Sequence, residues 1–392
     1  MIPSMTRRSA TRVAVAAAVL IVAAGCTKAG DGANTGPIQA TSEHGQSALE
    51  AVNALYSGDF DPVPSDGPTA VPGANVWYIS CGQAYEFCST SATAFEEAGR
   101  ILQWNVTVVD GKAEPNTAAT AIRQAIAARA DAIVLQSFDC PGIRNALTEA
   151  RGAGVPTIAS QSADCDVDEV GGSPEYTART TLHGDNTSLE FYEQWGAAKA
   201  NYIIARTDAR AKVIELSNTD QLQHIHQSTG FERELATCDT CELTERLEFS
   251  FSDVANGVLA QRLQSALLEH PDVNAVFVPF DALFGLGVSN ALNQSGRRDL
   301  ITIGGEGFVS NLEAIRDGRQ TASMPIDTGW IAYAAADTTN RILAGQSPAD
   351  LPNEGLGYQL IDASNVDTQG TSYAAPIDFR TDFTRLWTGA QQ

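Results

Sequence analysis

Val76-Trp77-Tyr78-Ile79-Ser80-Cys81-Gly82-Gln83 opens the stretch that decides the fold. Four apolar residues end at a small, glycine-bearing turn, and the spacing that follows predicts a helix over 90–102. Val106-Thr107-Val108-Val109 reads as a second strand. Ala118, Ala121, Ile122, Ala125 and Ile126 then recur at helical spacing. Ala132-Ile133-Val134-Leu135 closes the unit as a third strand and runs into Gln136-Ser137-Phe138-Asp139. Strand–helix–strand–helix–strand with short connections predicts three parallel strands with right-handed crossovers. Ligands of such a sheet sit in the crevice beyond the carboxyl ends of its strands. The segments 80–87 and 136–140 are therefore expected side by side at a site.

The loop after the first strand, Cys81-Gly82-Gln83-Ala84-Tyr85-Glu86-Phe87-Cys88, argues against a dinucleotide. A pyrophosphate needs closely spaced glycines at a helix N-terminus. One glycine, an acid and two aromatics suit a neutral or stacking ligand better. No Gly-x-x-x-x-Gly-Lys-Ser/Thr run occurs in the sequence, which argues against nucleotide hydrolysis as well. The formal net charge of −22 argues against a nucleic-acid role, which needs clustered Lys and Arg. At 392 residues the chain has room for two domains of ordinary size.

Working outward toward the start, Arg7, Arg8 and Arg12 precede an apolar run from Val13 to Ala24 that is too short for a stable membrane span. The run ends Ala23-Ala24-Gly25-Cys26, which resembles a bacterial lipoprotein signal (Ala23 stands where a larger aliphatic is usual). The resemblance implies residues 1–26 as a targeting segment, Cys26 as the lipidated residue and an anchor on the extracytoplasmic face of the cell membrane. Residues 27–73 read as a flexible tether. Within it Ala48, Leu49, Val52, Leu55 and Tyr56 predict a short helix that docks on the first domain, and the proline-rich stretch 59–72 reads as a linker or strap.

Beyond Asp139 the alternation continues. A strand at 155–159 delivers Ser160-Gln161-Ser162 to the same crevice, and the pattern restarts near His183. The second half repeats the grammar, with strands at 212–216, 243–249, 273–278 and 300–303. Two doubly wound α/β halves of parallel strands, each presenting strand-end loops, suggest two lobes facing one cleft.

Val213-Ile214-Glu215-Leu216, Gly230-Phe231, His270-Pro271-Asp272-Val273-Asn274-Ala275-Val276-Phe277, Asp281, Gly285-Leu286-Gly287 and Ile303-Gly304-Gly305 follow in an order that resembles the type I periplasmic binding proteins of the ribose-binding-like branch. The resemblance spans roughly residues 74–367. It implies the substrate-binding component of an ABC importer: no enzyme, no cofactor, no resident metal, a small-molecule ligand, an ABC permease as partner and a monomeric state. It also implies two lobes joined by a three-strand hinge, with the ligand between them. The first lobe is then 74–184 with 325–360 and the second 185–324 with 361–392, the chain crossing near 183–185, 324–327 and 359–362. Residues 372–392 extend past the usual end and are expected on a lobe surface.

Carried over residue by residue, the resemblance places Gln83 and Phe87 at the first-lobe loop, with Phe138 and Asp139 beside them. Gln161 falls near a position where an acid is usual, and Phe251 matches a second-lobe aromatic. Phe280 stands where an asparagine is usual, Asp281 matches, and Glu306 replaces an aspartate. His226 or His224 stands where the second lobe presents a polar side chain, and His226 is the position chosen. Several hydroxyl-binding groups are thus missing, which points to a small cyclic, mostly uncharged ligand. A sugar or sugar derivative comes first, and an aromatic or alicyclic metabolite second.

With Cys26 set aside, Cys81, Cys88, Cys140, Cys165, Cys238 and Cys241 remain, an even number in an exported chain. Connectivity stays open, and pairing of sequence neighbours, 81 with 88, 140 with 165 and 238 with 241, is preferred. A zinc site from these cysteines, a redox role for Cys238 and Cys241, and a metal at His224 and His226 are weaker readings. Asp281 and Glu306 could in principle act as paired acids on a glycoside. A receptor-linked sensor is a further alternative to transport.

Overall fold

The computed structural model describes Met1 and residues 36–390. The expected targeting segment, Cys26 and the start of the tether lie outside the described residues from 36 onward. After helix α1 (Glu43–Leu55) the chain lays down β1 (Asn75–Ser80), α2 (Glu86–Ile101), β2 (Asn105–Asp110), α3 (Pro115–Ala127), β3 (Ala132–Gln136), α4 (Cys140–Gly152), β4 (Thr157–Ser160) and β5 (Ala178–Arg179). The strands form one parallel sheet in the order β2-β1-β3-β4-β5. β3 and β4 are buried at every position, as apolar runs sandwiched between two helical layers should be. α2 begins at Glu86, ahead of the start at 90 that spacing suggests. α4 starts at Cys140, with Pro141 in its first turn, where a missing N–H costs nothing.

The second lobe follows with α5 (Ser188–Arg206), β6 (Lys212–Asn218), α6 (Leu222–Leu235), β7 (Glu242–Phe249), α7 (Phe251–Ala255), α8 (Val258–Glu269), β8 (Ala275–Phe277), α9 (Ser289–Ser295), β9 (Ile301–Gly304), α10 (Val309–Arg316) and β10 (Ala322–Ser323). Then come α11 (Thr328–Leu343), β11 (Ile361–Asp362) and α12 (Phe379–Thr388). The second sheet runs β11-β10-β9-β8-β6-β7 and is parallel except for β11. Apart from that edge strand, the two sheets share one winding scheme.

α5 and α6 pack closely because Gly196 and Gly230 lie at their crossing. A Cβ on Gly196 would meet the Gln227 carbonyl oxygen at 1.9 Å, and one on Gly230 the Glu193 carbonyl oxygen at 1.8 Å. Only glycine permits that approach, and it fixes the N-terminal ends of both helices relative to the cleft.

The chain passes between the sheets after β5, after β10 and before β11. Neighbouring passes are hydrogen-bonded, His183 N–H to the Leu356 carbonyl and Gln359 N–H to the Pro325 carbonyl. Two expected dockings are corrected. α1 packs on α5 of the second lobe rather than on the first. Its register is set by Asp208, which accepts from the Thr41 and Ser42 N–H groups, while the Tyr56 hydroxyl donates to Asp362. Residues 361–392, expected as a block on the second lobe, divide. β11 pairs with β10, whereas α12 docks on α2 and α11 of the first. Phe379 stacks on Trp330, and Trp387 stacks on Tyr333 and donates from its indole to Asp337. An amphipathic helix follows the apolar surface it can cover, and α11 offers one.

The proline-rich strap 59–72 crosses from the hinge to the first lobe. Asp59 bridges Tyr358, Asp61 pairs with His183, and Asn340 holds the Pro68 and Thr69 carbonyls. Cysteine sulfurs are bonded in three pairs, 81–88, 140–165 and 238–241, with Cα separations of 5.5, 5.2 and 5.3 Å.

Candidate functional site

Strand order reverses between β1 and β3 in one sheet and between β6 and β8 in the other. The carboxyl ends at those switch points face a cavity of about 520 Å³, part of it open to solvent. The first lobe contributes Tyr85, Phe87 and the bonded Cys81–Cys88 pair, from the loop after β1 and the first turn of α2, with Ala113 and Ser137. Ser137 and Gln161, at the ends of β3 and β4, have φ of 56° and 52°. Left-handed backbone at non-glycine residues is the kind of strain found at ligand sites.

The second lobe contributes Tyr192 from α5, Gln221, Gln223 and His224 from the start of α6, and Phe251 from α7. Phe280 and Ala282 follow β8, and Glu306 follows β9. The His224 ring lies 5.0 Å from Phe280 and edge-on to Tyr192 at 5.7 Å. Burial, helped by nearby Lys199, lowers its pKa to about 3, so the imidazole is neutral. Glu306 is 9 % exposed, and its Oε2 accepts from the Asp281 N–H at 2.6 Å. Burial and then Asp281 push its carboxyl well above the usual range, with Lys199 pulling the other way.

Beneath this floor Lys199 is fully buried, 3.4 Å over the Trp195 ring, and donates to the Pro279 carbonyl at 3.0 Å. Burial lowers its pKa to about 7, against the pull of Glu306 and Asp281. No lysine or arginine lines the cavity among the described residues.

Of the residues expected at the site, the structure brings Phe87, Phe251, Phe280 and Glu306 to the cavity. The others stand elsewhere, each for a visible reason. Gln83 is exposed and donates to the Ser80 hydroxyl at 2.7 Å, so Tyr85 takes the cavity side of its loop. Phe138 is buried in the first-lobe core behind Gly111. Asp139 bridges the lobes, accepting from Ala163 N–H in the first and Leu222 N–H in the second, each at 2.8 Å. Gln161 is buried and donates to the Tyr192 hydroxyl at 3.2 Å. Asp281 is sealed beneath the site, accepting from Gln320, Ser323 and the N–H groups of Glu306 and Gly307. His226 lies at the rim between Glu169 and Glu193, and His224 occupies the wall instead.

The paired-acid reading of Asp281 and Glu306 fails on the same geometry, because the two do not flank a cavity. The two histidines do not share a metal position either. Among the described residues the one close group of metal donors, Cys140, Asp164 and Cys165, has its sulfurs bonded to each other. Tyr85, Tyr192, Gln221 and Gln223 were missed. Tyr85 had a signal, as an aromatic inside a cysteine-closed loop; Tyr192 had none, lying on a helix whose apolar face reads only as core.

Two α/β lobes of one winding scheme, three crossings and a cavity between opposed strand ends define a two-lobed solute-binding protein. The chain belongs to the periplasmic binding protein domain family, whose model matches residues 77–347. That family consists of binding proteins of ABC transporters, not enzymes, and works outside the cytoplasm. The ribose import binding protein RbsB of Escherichia coli (strain K12) is 24% identical over 272 residues, covering 68% of this chain and 84% of the relative. A galactofuranose binding protein matches in structure with a TM-score of 0.64 at 17% identity, over 75% of this chain and 96% of that one. An ABC transporter solute binding protein from Agrobacterium vitis with bound allitol gives 0.64 at 16% identity, over 76% and 98%. No helix among the described residues is long and apolar enough to cross a membrane.

Proposed function

We propose that this chain captures a small, uncharged cyclic solute, a sugar or sugar derivative first, and delivers it to an ABC permease. The observation that carries the reading is the interlobe cavity, walled by aromatic rings from both lobes and furnished with hydrogen-bonding side chains, none of them lysine or arginine among the described residues. Aromatic faces suit the apolar face of a sugar ring. The relatives named for ribose and galactofuranose, and the neighbour holding allitol, support the class. Attachment through a lipidated Cys26, a monomeric state and three disulfides formed on export complete the proposal. The density of rings and the lack of a lining cation also favour a second reading, an aromatic or alicyclic metabolite.

Mass spectrometry of small molecules released from the natively purified protein, followed by calorimetry with each, tests both. A ring compound that raises the melting temperature and binds with micromolar or better affinity is expected. A charged or acyclic ligand, or none in either assay, would overturn the proposal.

A further inference from the structure

The loop after β3 is pinned to the first lobe along its whole length. The N–H groups of Ser137 and Cys140 donate to the Ser160 and Ala163 carbonyls, each at 2.9 Å, and Phe138 N–H donates to the Ser162 hydroxyl at 2.9 Å. The Cys140–Cys165 bond holds the far end. Asp139 adds to the tie by accepting from Ala163 N–H through Oδ1 at 2.8 Å. Its other oxygen, Oδ2, reaches the second lobe and accepts from Leu222 N–H at 2.8 Å.

Leu222 is the first residue of α6, and the first N–H groups of a helix have no partner within it. Gln221 occupies the cap position, yet its side chain makes no bond to the helix and donates instead to the Ser137 carbonyl of the first lobe at 3.0 Å. Asp139 precedes α4 but does not cap it. The start of α6 is thus capped from the opposite lobe, its positive end meeting a carboxylate. Neither Asp139 nor Leu222 lines the cavity.

We propose that Asp139 and the first turn of α6 form a latch that holds the lobes together without help from a solute. Parting the lobes strips α6 of its cap, so opening is opposed whatever fills the cleft. A solute leaves only after the lobes part, and the latch lengthens its stay without touching it. The inference rests on the two-lobed architecture and not on the class of ligand.

Leu222→Pro is the sharpest test, because it deletes the bridging N–H. Proline suits the first position of a helix, and Gln221, with φ −130° and ψ 132°, already has the extended backbone that a residue before proline requires. Leu222→Ala removes the same side chain and keeps the N–H. Spin labels carried on unnatural residues at Gln124 of α3 and Gln261 of α8, one per lobe, leave the cysteines undisturbed. In protein freed of small molecules by dialysis, the wild-type distance distribution should include the separation found in this structure. The closed-to-open ratio should fall about tenfold in Leu222→Pro relative to Leu222→Ala, the scale of one helix cap. Asp139→Ala should lower it as much, and decides alone if Leu222→Pro does not fold. A wild-type protein showing only a wider separation, equal ratios in the proline and alanine variants, or an unchanged ratio in Asp139→Ala overturns the latch. None of these results bears on the proposed ligand class.

Discussion

His224 and His226 stand two residues apart on α6, which turns about 200° between them, so they meet different surroundings. His224 packs among Tyr192, Phe280 and Gln227, and burial keeps it neutral. His226 bridges Glu169 of the first lobe and Glu193 of α5 at the rim. Truncating the first removes a ring from the cavity wall; truncating the second removes partly exposed rim contacts to two carboxylates, worth little. His224→Ala should therefore weaken ligand binding about tenfold, near 1.4 kcal/mol, whereas His226→Ala should change it less than threefold. Calorimetry on the two variants decides, and the reverse order would mean that the wall is assigned to the wrong turn of the helix.

α12 shows what a helix beyond the repeated α/β units contributes. Its apolar stripe, Phe379, Phe383 and Trp387, lies on α11 and α2, and the Trp387 indole donates to Asp337 at 2.7 Å. Asp337 also pairs with Arg341, which holds the Asp66 carbonyl of the strap. One tryptophan thus ties the end of the chain to the segment before β1. Trp387→Ala should lower stability by about 3–5 kcal/mol, the usual range for a buried large aromatic, and should leave ligand affinity unchanged, because none of these residues lines the cavity. Thermal unfolding read beside calorimetry checks both halves; a variant with wild-type melting temperature would show that the docking contributes nothing.

At the scale of the whole molecule, buried acids give the fold a pH dependence. Glu215 of β6 is fully buried, and burial, reinforced by Glu232 against the pull of Ser228 and Arg246, raises its pKa to about 8. A carboxyl whose folded pKa exceeds its unfolded value contributes fully below the unfolded pKa, and that contribution is lost as pH rises through the folded one. The window here runs from about 4.5 to about 8. Glu215→Gln keeps the shape without the charge. Its melting temperature relative to wild type should rise between pH 5 and pH 8, with a limit of about 1.4 kcal/mol per pH unit. A constant gap between the two proteins across that window would show that Glu215 does not titrate with folding.

The alternation of apolar runs with helical spacing was enough to specify two parallel α/β halves and the strand ends where a site must lie. That is local information: burial on both faces of a strand and on one face of a helix is written in periods of a few residues. The same chemistry marked the ring-rich loop between Cys81 and Cys88. Which side chains enter the cavity was decided by contacts distant in sequence. Asp281 is sealed because Gln320 and Ser323, 39 and 42 residues further on, reach it. Asp139 faces Leu222 instead of a ligand, 83 positions away, and Gln161 faces Tyr192. The choice of His224 over His226 follows from how α6 is rotated on α5, which Gly196 and Gly230 set by close approach. Periodicity reports that a face is buried; only the folded neighbours determine whether a polar group on it is spent on the protein or left for a solute.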